Sequence, residues 1–204
     1  MPLKPIGTIK IPNAEGSSFD HGAFDPKTRR VFIAHTQRDC VEVIDQDKQR
    51  HVATLPGFPG VAGAVVDDGE VLLTNRGSAS VAWIDAVTYK TAAVFETASR
   101  PNGAVIVRRL ALGIAACIGN EVEIPTLQSF HLKNGRLAKL ELPGRPRWCV
   151  TDMAADRIFL CIREPSMVLV ASLPELRPIA QWKLPSGGAH GLDIDHSPRR
   201  LYAA

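Results

Sequence analysis

Apolar residues along this chain fall in short runs separated by Gly, Pro, Asn and Asp, and no stretch keeps an apolar face at helical period. The pattern therefore predicts strands joined by turns. A first strand ends in Asp, as in Gly22-Ala-Phe-Asp25, and a second follows a short turn, as in Val31-Phe-Ile-Ala34. A third ends near an acidic or polar residue: Val41 to Asp45, Val81 to Asp85, Leu127 to His131, Met167 to Ala171. A fourth usually ends at proline: His51 to Pro56, Thr91 to Phe95, Leu137 to Pro143, Ile179 to Pro185. The unit recurs, with starts near residues 22, 63, 103, 148 and 191.

The second strands are apolar on both faces (Val31 to Ala34, Val71 to Leu73, Ile158 to Ile162), so each small sheet must be covered on both sides. Radial stacking of sheets supplies that cover and leaves only short edges. The expected fold is all-β: a β-propeller of four-stranded antiparallel blades, with residues 1–204 forming one domain.

The unit at residues 22 to 45 resembles the repeat of the YVTN (YncE-like) β-propeller family: an apolar strand ending in Asp, then Arg30-Val-Phe-Ile-Ala34, then Val41-Glu-Val-Ile-Asp45. Residues 191 to 204 resemble its first half, and the copies at 63 and 103 are partial. The resemblance implies a ring of about seven blades, of which this chain would hold about four to five. On that implication the chain is a C-terminally truncated member; a five-bladed ring short of one strand is the alternative. Residues 6–12 resemble a fourth strand and are expected to be the outer strand that closes the ring.

Composition narrows the class. Hydrophobic residues at 45% and charged ones at 22% fit a globular domain. A net charge of +3 with no Lys/Arg run disfavours a nucleic-acid partner. The longest apolar run, Leu110 to Ile118, is far short of the roughly 20 residues of a membrane span. The start has no apolar stretch of signal-peptide length, and the four cysteines lack metal spacing. A cytoplasmic protein with no membrane partner is the expectation.

Candidate chemistry is sparse. The phosphate-loop, zinc-helix and nucleophile-elbow signatures are absent, and Gly57 to Gly63 reads as a turn. His21 and His190 each precede a glycine and an innermost strand, so both should lie near the central channel. They could hold a divalent metal with Asp20 orienting His21, or hydrogen-bond the backbone where blades converge. The loops of the same face carry Arg38, Arg76, Arg100, Arg145, Arg147 and Arg163, beside Asn75, Asn102, Asn120 and Trp148. Converging arginines would suit an anion; alternatively each pairs with a carboxylate such as Asp39, Glu121 or Glu164. The pairs Arg29-Arg30, Arg108-Arg109 and Arg199-Arg200 sit by the opposite turn, within reach of Asp25 and Asp195. Trp83, Trp182, Phe32 and Phe159 are expected in the core between blades.

The reading that results is a non-catalytic binding protein presenting His21, Arg76, Arg100, Asn102, Arg145, Arg147, Trp148 and His190 to an anionic small molecule or protein. The alternative is a lactonase-like, metal-dependent hydrolase or lyase using His21 and His190. No carboxylate-rich channel mouth is visible to support it.

Overall fold

The computed structural model describes residues 2–152, 154 and 156–204. Four sheets have four antiparallel strands each, in sequence order. Sheet 1 holds β1 (Gly22–Asp25), β2 (Arg30–His35), β3 (Cys40–Asp45) and β4 (Arg50–Pro56). Sheet 2 holds β5 (Val61–Asp67), β6 (Glu70–Asn75), β7 (Ser80–Asp85) and β8 (Thr91–Glu96). Sheet 3 holds β9 (Pro101–Val107), β10 (Leu112–Cys117), β11 (Thr126–His131) and β12 (Gly135–Glu141). Sheet 4 holds β13 (Pro146–Asp152), β14 (Arg157–Ile162), β15 (Met167–Ser172) and β16 (Pro178–Lys183), and sheet 5 pairs β17 (Leu192–Asp195) with β18 (Arg200–Ala203). The only helical turns among the described residues are Thr36–Arg38 and Arg108–Leu110. The sheets stack as blades in a propeller-like arrangement.

Period-two alternation distributes each sheet between its two neighbours. In sheet 2, Val71 and Leu73 pack with Phe32, Ala34, Val41 and Val43 of sheet 1, while Leu72 and Trp83 pack with Ala115 and Phe130 of sheet 3. In sheet 4, Ile158, Leu160 and Ile162 join Ile114 and Leu127 of sheet 3, while Phe159 and Cys161 meet Leu192 and Ile194 of sheet 5. Each boundary between successive sheets thus holds its own apolar cluster.

The strands β1, β5, β9, β13 and β17 lie side by side at the inner edge. Here glycine has a steric task. A Cβ on Gly63 would overlap the carbonyl oxygen of Asn102, and one on Gly103 that of Arg147. The recurring glycine of the unit is therefore where one inner strand abuts the next. Inter-blade hydrogen bonds cluster at the same level: His21 N–H donates to Ala62 O, the Thr74 hydroxyl to Asn102 O, and Trp148 N–H to His190 O.

Four outer strands carry a matching bulge, which adds Val52, Ala92, Leu137 and Ile179 opposite single residues of β3, β7, β11 and β15. Such an insertion turns a side chain outward, which accounts for the exposure of Val52, Leu137 and Ile179.

Several sequence expectations need correction. Phe32, Trp83 and Phe159 are core, but Trp182 is 47% exposed, on an outer strand facing a sheet of only two strands. The turn arginines do not pair with Asp25 or Asp195: Arg29 turns to the neighbouring turn of its own sheet, and the others reach across blades. Arg29 pairs with Asp47, Arg30 donates to Ala86 O, Arg108 meets Asp67, Asp68 and Glu70, Arg109 meets Asp156, and Arg199 meets Asp152. Asp25 spends its oxygens on the N–H groups of Lys27 and Thr28. Residues 6–12 form no strand; Ile6 and Ile9 instead line a groove with Val31 and Ile44.

Sheet 1 also buries Glu42, 1% exposed, on a strand otherwise read as apolar. Burial pushes its pKa up, but hydrogen bonds from Thr54, His35 and His51 outweigh that and hold the carboxyl below its ordinary value of 4.5. A depressed folded value means this stabilisation exists above pH 4.5 and is lost as pH falls through the folded value. Glu42→Gln should therefore lower stability at neutral pH and flatten its decline below that point, as read from urea midpoints across pH. Separately, Gly103→Ala should destabilise by about 1–3 kcal/mol, a loss that urea denaturation would detect. A neutral effect would mean that β9 and β13 are not in this close contact.

Candidate functional site

The N-terminal ends of the inner strands and the loops after β2, β6 and β14 meet on one face. Bulges aim side chains there. In β9, Asn102 and Gly103 together oppose Ala116, because Ala115 pairs with Ala104 and Cys117 with Pro101. In β13, Arg147 and Trp148 together oppose Cys161, between the pairs Cys149–Leu160 and Pro146–Ile162. A bulge breaks the in–out alternation, which lets successive residues serve the site.

Asp20 is the hub. Its carboxylate lies 2.6 Å from His21 Nδ1 and 3.0 Å from Arg76 Nη2, and Arg76 also donates to Asn102 Oδ1. Burial opposes ionisation of Asp20, yet the adjacent His21 imidazole and the Arg76 charge hold its carboxyl below the usual range. The His21 ring stacks on Trp148 at 4.4 Å and 16°, with His190 edge-on at 5.9 Å. His21, Trp148 and His190 border an open cleft of about 570 Å³. His190 is pushed down from its ordinary value by burial, Arg147 and His21, so it stands neutral near pH 7.

Arginine dominates the charge. Arg147 is 8% exposed, its Nε is buried without a partner, and burial with Arg145, Arg163 and Arg76 lowers its affinity for the proton. Arg145 is lowered likewise by burial and by Arg100, Arg163 and Arg76. These five guanidinium groups feel one another, and Asp20 is the only carboxylate in an ion pair with any of them among the described residues. Asn102 Nδ2 and Arg76 Nε are also buried without partners. Beside them, Arg100, Arg145, Asn120 and Glu121 line a shallow depression of about 690 Å³.

All eight residues expected in the site thus lie along this face. Asp20, His21, Arg76, Asn102, Trp148 and His190 form a contiguous group, with Arg147, Arg145 and Arg100 within electrostatic reach. Arg163 joins them, and Asp20 proves central where sequence suggested only a helper. The carboxylate partners considered for the other arginines are not used: Asp39 accepts from Gly60 N–H, and neither Glu121 nor Glu164 forms an ion pair among the described residues. Asn75 and Asn120 hold their own loops, through Ser80 and through the N–H groups of Val122 and Glu123.

As a metal site the same face is ill suited. Asp20 occupies one His21 nitrogen, Trp148 covers that ring's face, and five guanidinium charges oppose a dication. Among the described residues, the one group of three metal-capable side chains within reach of one another is His35, Cys40 and Glu42, in sheet 1. Burial and Glu42 push the Cys40 thiol up to about 11, so it is protonated at neutral pH.

No family model matches the chain, and no curated protein matches it. Among solved structures it is similar to hydrazine synthase of Kuenenia stuttgartiensis, with a TM-score of 0.75 and 13% identity. The match covers 91% of this chain and 55% of that one, so the chain spans little more than half of its neighbour. At that identity the likeness is one of fold alone: a β-rich, propeller-like fold.

The buried, unpaired Arg147 carries a cost. Arg147→Met should raise stability by about 1–2 kcal/mol in low-salt urea unfolding. A loss instead would mean that the guanidinium has partners in solution.

Proposed function

We propose that the chain is a YncE-like propeller module that binds an anionic group at the channel face, either a carboxylate or phosphate of a small molecule or an acidic site on a protein. The observation that carries the reading is Arg147: a guanidinium buried among like charges, with an unpaired Nε and no carboxylate of its own. Proteins rarely keep such a group unless a ligand completes it.

Arg76 and Asp20 would act differently from the rest. Their ion pair positions Arg76, Asn102 and His21, while Arg147, Arg145, Arg100 and Arg163 supply uncompensated charge. Trp148 and His21 form a stacked aromatic wall against which a flat ligand could lie, and His190 offers a neutral imidazole beside it. The resemblance to the YncE-like family that supports this reading rests on residues 22–45 and 191–204. The metal-dependent hydrolase reading is weaker, because it asks a cation to enter a field that favours anions.

Isothermal titration with inorganic phosphate and with citrate tests the proposal. The wild type should bind at least one of them with an affinity that falls as salt rises. The double variant Arg100→Ala/Arg147→Ala should bind at least about tenfold more weakly. Equal binding by the two proteins, or none by the wild type, overturns the reading.

A further inference from the structure

A second cluster lies on the face of sheet 1 turned away from sheet 2, distinct from the arginines. Ser17 Oγ is 2.6 Å from His35 Nε2, and His35 Nδ1 is 2.8 Å from Glu42 Oε1. The other carboxylate oxygen accepts from Thr54 Oγ1 at 2.6 Å and from His51 Nε2 at 2.7 Å. A carboxylate surrounded by donors is an acceptor, so the proton of His35 sits on Nδ1. That leaves Nε2 free to accept the proton of the Ser17 hydroxyl. Phe19 stacks on the imidazole at 4.1 Å and 21°, fixing the plane of the ring.

The order of burial matters as much as the distances. His35 is fully buried and Glu42 nearly so, whereas Ser17 is only partly buried. Ser17 follows a tight turn closed by its own N–H to Ala14 O, with Gly16 at φ +66° and open space where a Cβ would point. A reachable hydroxyl therefore stands over a sealed base and a sealed orienting carboxylate.

We propose that Ser17, His35 and Glu42 form a nucleophile–base–orienter triad that hydrolyses small carboxylic esters. Ser17 Oγ attacks the ester carbonyl carbon as its proton passes to His35 Nε2. The bond from carbon to the alcohol oxygen breaks, and that oxygen leaves with the proton from Nε2. Water then attacks the acyl-Ser17 ester, giving its proton to Nε2. The serine oxygen takes that proton back as the carboxylic acid departs. Glu42 keeps Nδ1 protonated and the ring aligned throughout, with His51 and Thr54 holding the carboxylate. No metal or redox partner enters.

Two readouts test this on the whole chain: turnover of p-nitrophenyl butyrate, and labelling by a fluorophosphonate, which serine opens with loss of fluoride. The wild type should turn over the ester and gain one phosphonyl group mapped to Ser17. Ser17→Ala should gain none and lose at least about a hundredfold in turnover, with its melting temperature little changed because the residue is only partly buried. If Ser17→Ala melts early, the wild-type adduct map alone decides. No adduct on Ser17 under probe excess, or undiminished turnover in folded Ser17→Ala, overturns the proposal. Because Ser17 makes no contact with the arginine cluster, failure here leaves anion binding untouched, and the reverse holds too.

Discussion

Everything in this molecule depends on the close approach of neighbouring inner strands. A four-stranded sheet that is apolar on both faces must be covered on both, and alternating side chains supply each blade with two opposite contact faces. At the inner edge there is no room for side chains between strands, so backbone meets backbone at Gly63 and Gly103. The same crowding fixes the positions of Asn102 and Arg147, whose carbonyl oxygens form the other side of those contacts. Packing and site are therefore one constraint, because the residues whose backbones close the boundary also carry the side chains that face the channel.

Electrostatics then works against packing. Bringing Arg76, Arg100, Arg145, Arg147 and Arg163 to one face, with Asp20 as their single paired carboxylate among the described residues, raises the energy of the folded state. The cost is visible in the reduced hold of Arg145 and Arg147 on their protons and in the neutral state favoured for His190. By contrast, the arginines at the far turns are neutralised by Asp47 within sheet 1 and across blades by Asp67, Asp68, Asp152 and Asp156. The chain has carboxylates enough to pair with arginine, and it uses them at one face and withholds them at the other. Local charge imbalance on a framework that balances charge elsewhere is the pattern on which the proposed anion binding rests.

The fold was legible because its signal is repetitive. Strand periodicity, turn residues and the spacing of Gly22, Gly63 and Gly103 all report the same unit, so an error in one copy is corrected by the others. The site was legible in part: knowing which loops share a face was enough to gather the arginines. What could not be read was the bulge geometry, since nothing in Pro101-Asn-Gly or Pro146-Arg-Trp says that two residues will oppose one. The pairing of the turn arginines escaped for a similar reason: Asp25 is nearer in sequence to Arg29 than Asp47 is, yet its oxygens are already committed to its own turn, and the partners of Arg108 and Arg109 lie in neighbouring sheets. The Ser17, His35 and Glu42 cluster left one trace that could have been followed: a carboxylate in Val41-Glu-Val, at a position the strand pattern assigns to a covered face.

The loop from Ser17 to His21 links the two clusters without coupling their chemistry. Its residues divide between two directions: Ser17 and Phe19 turn onto the outer face of sheet 1, while Asp20 and His21 turn to the channel. The backbone between them is pinned, with Ser18 N–H on Gln37 Oε1, Ser18 O accepting from Gln37 N–H, and Asp20 N–H on Ala34 O. A segment held at each second residue cannot swing one group without breaking main-chain bonds that anchor the other. Both clusters are therefore preorganised by the same few hydrogen bonds. Preorganisation is what an arginine field and an aligned hydroxyl each require, since neither gains from a group that must first be ordered.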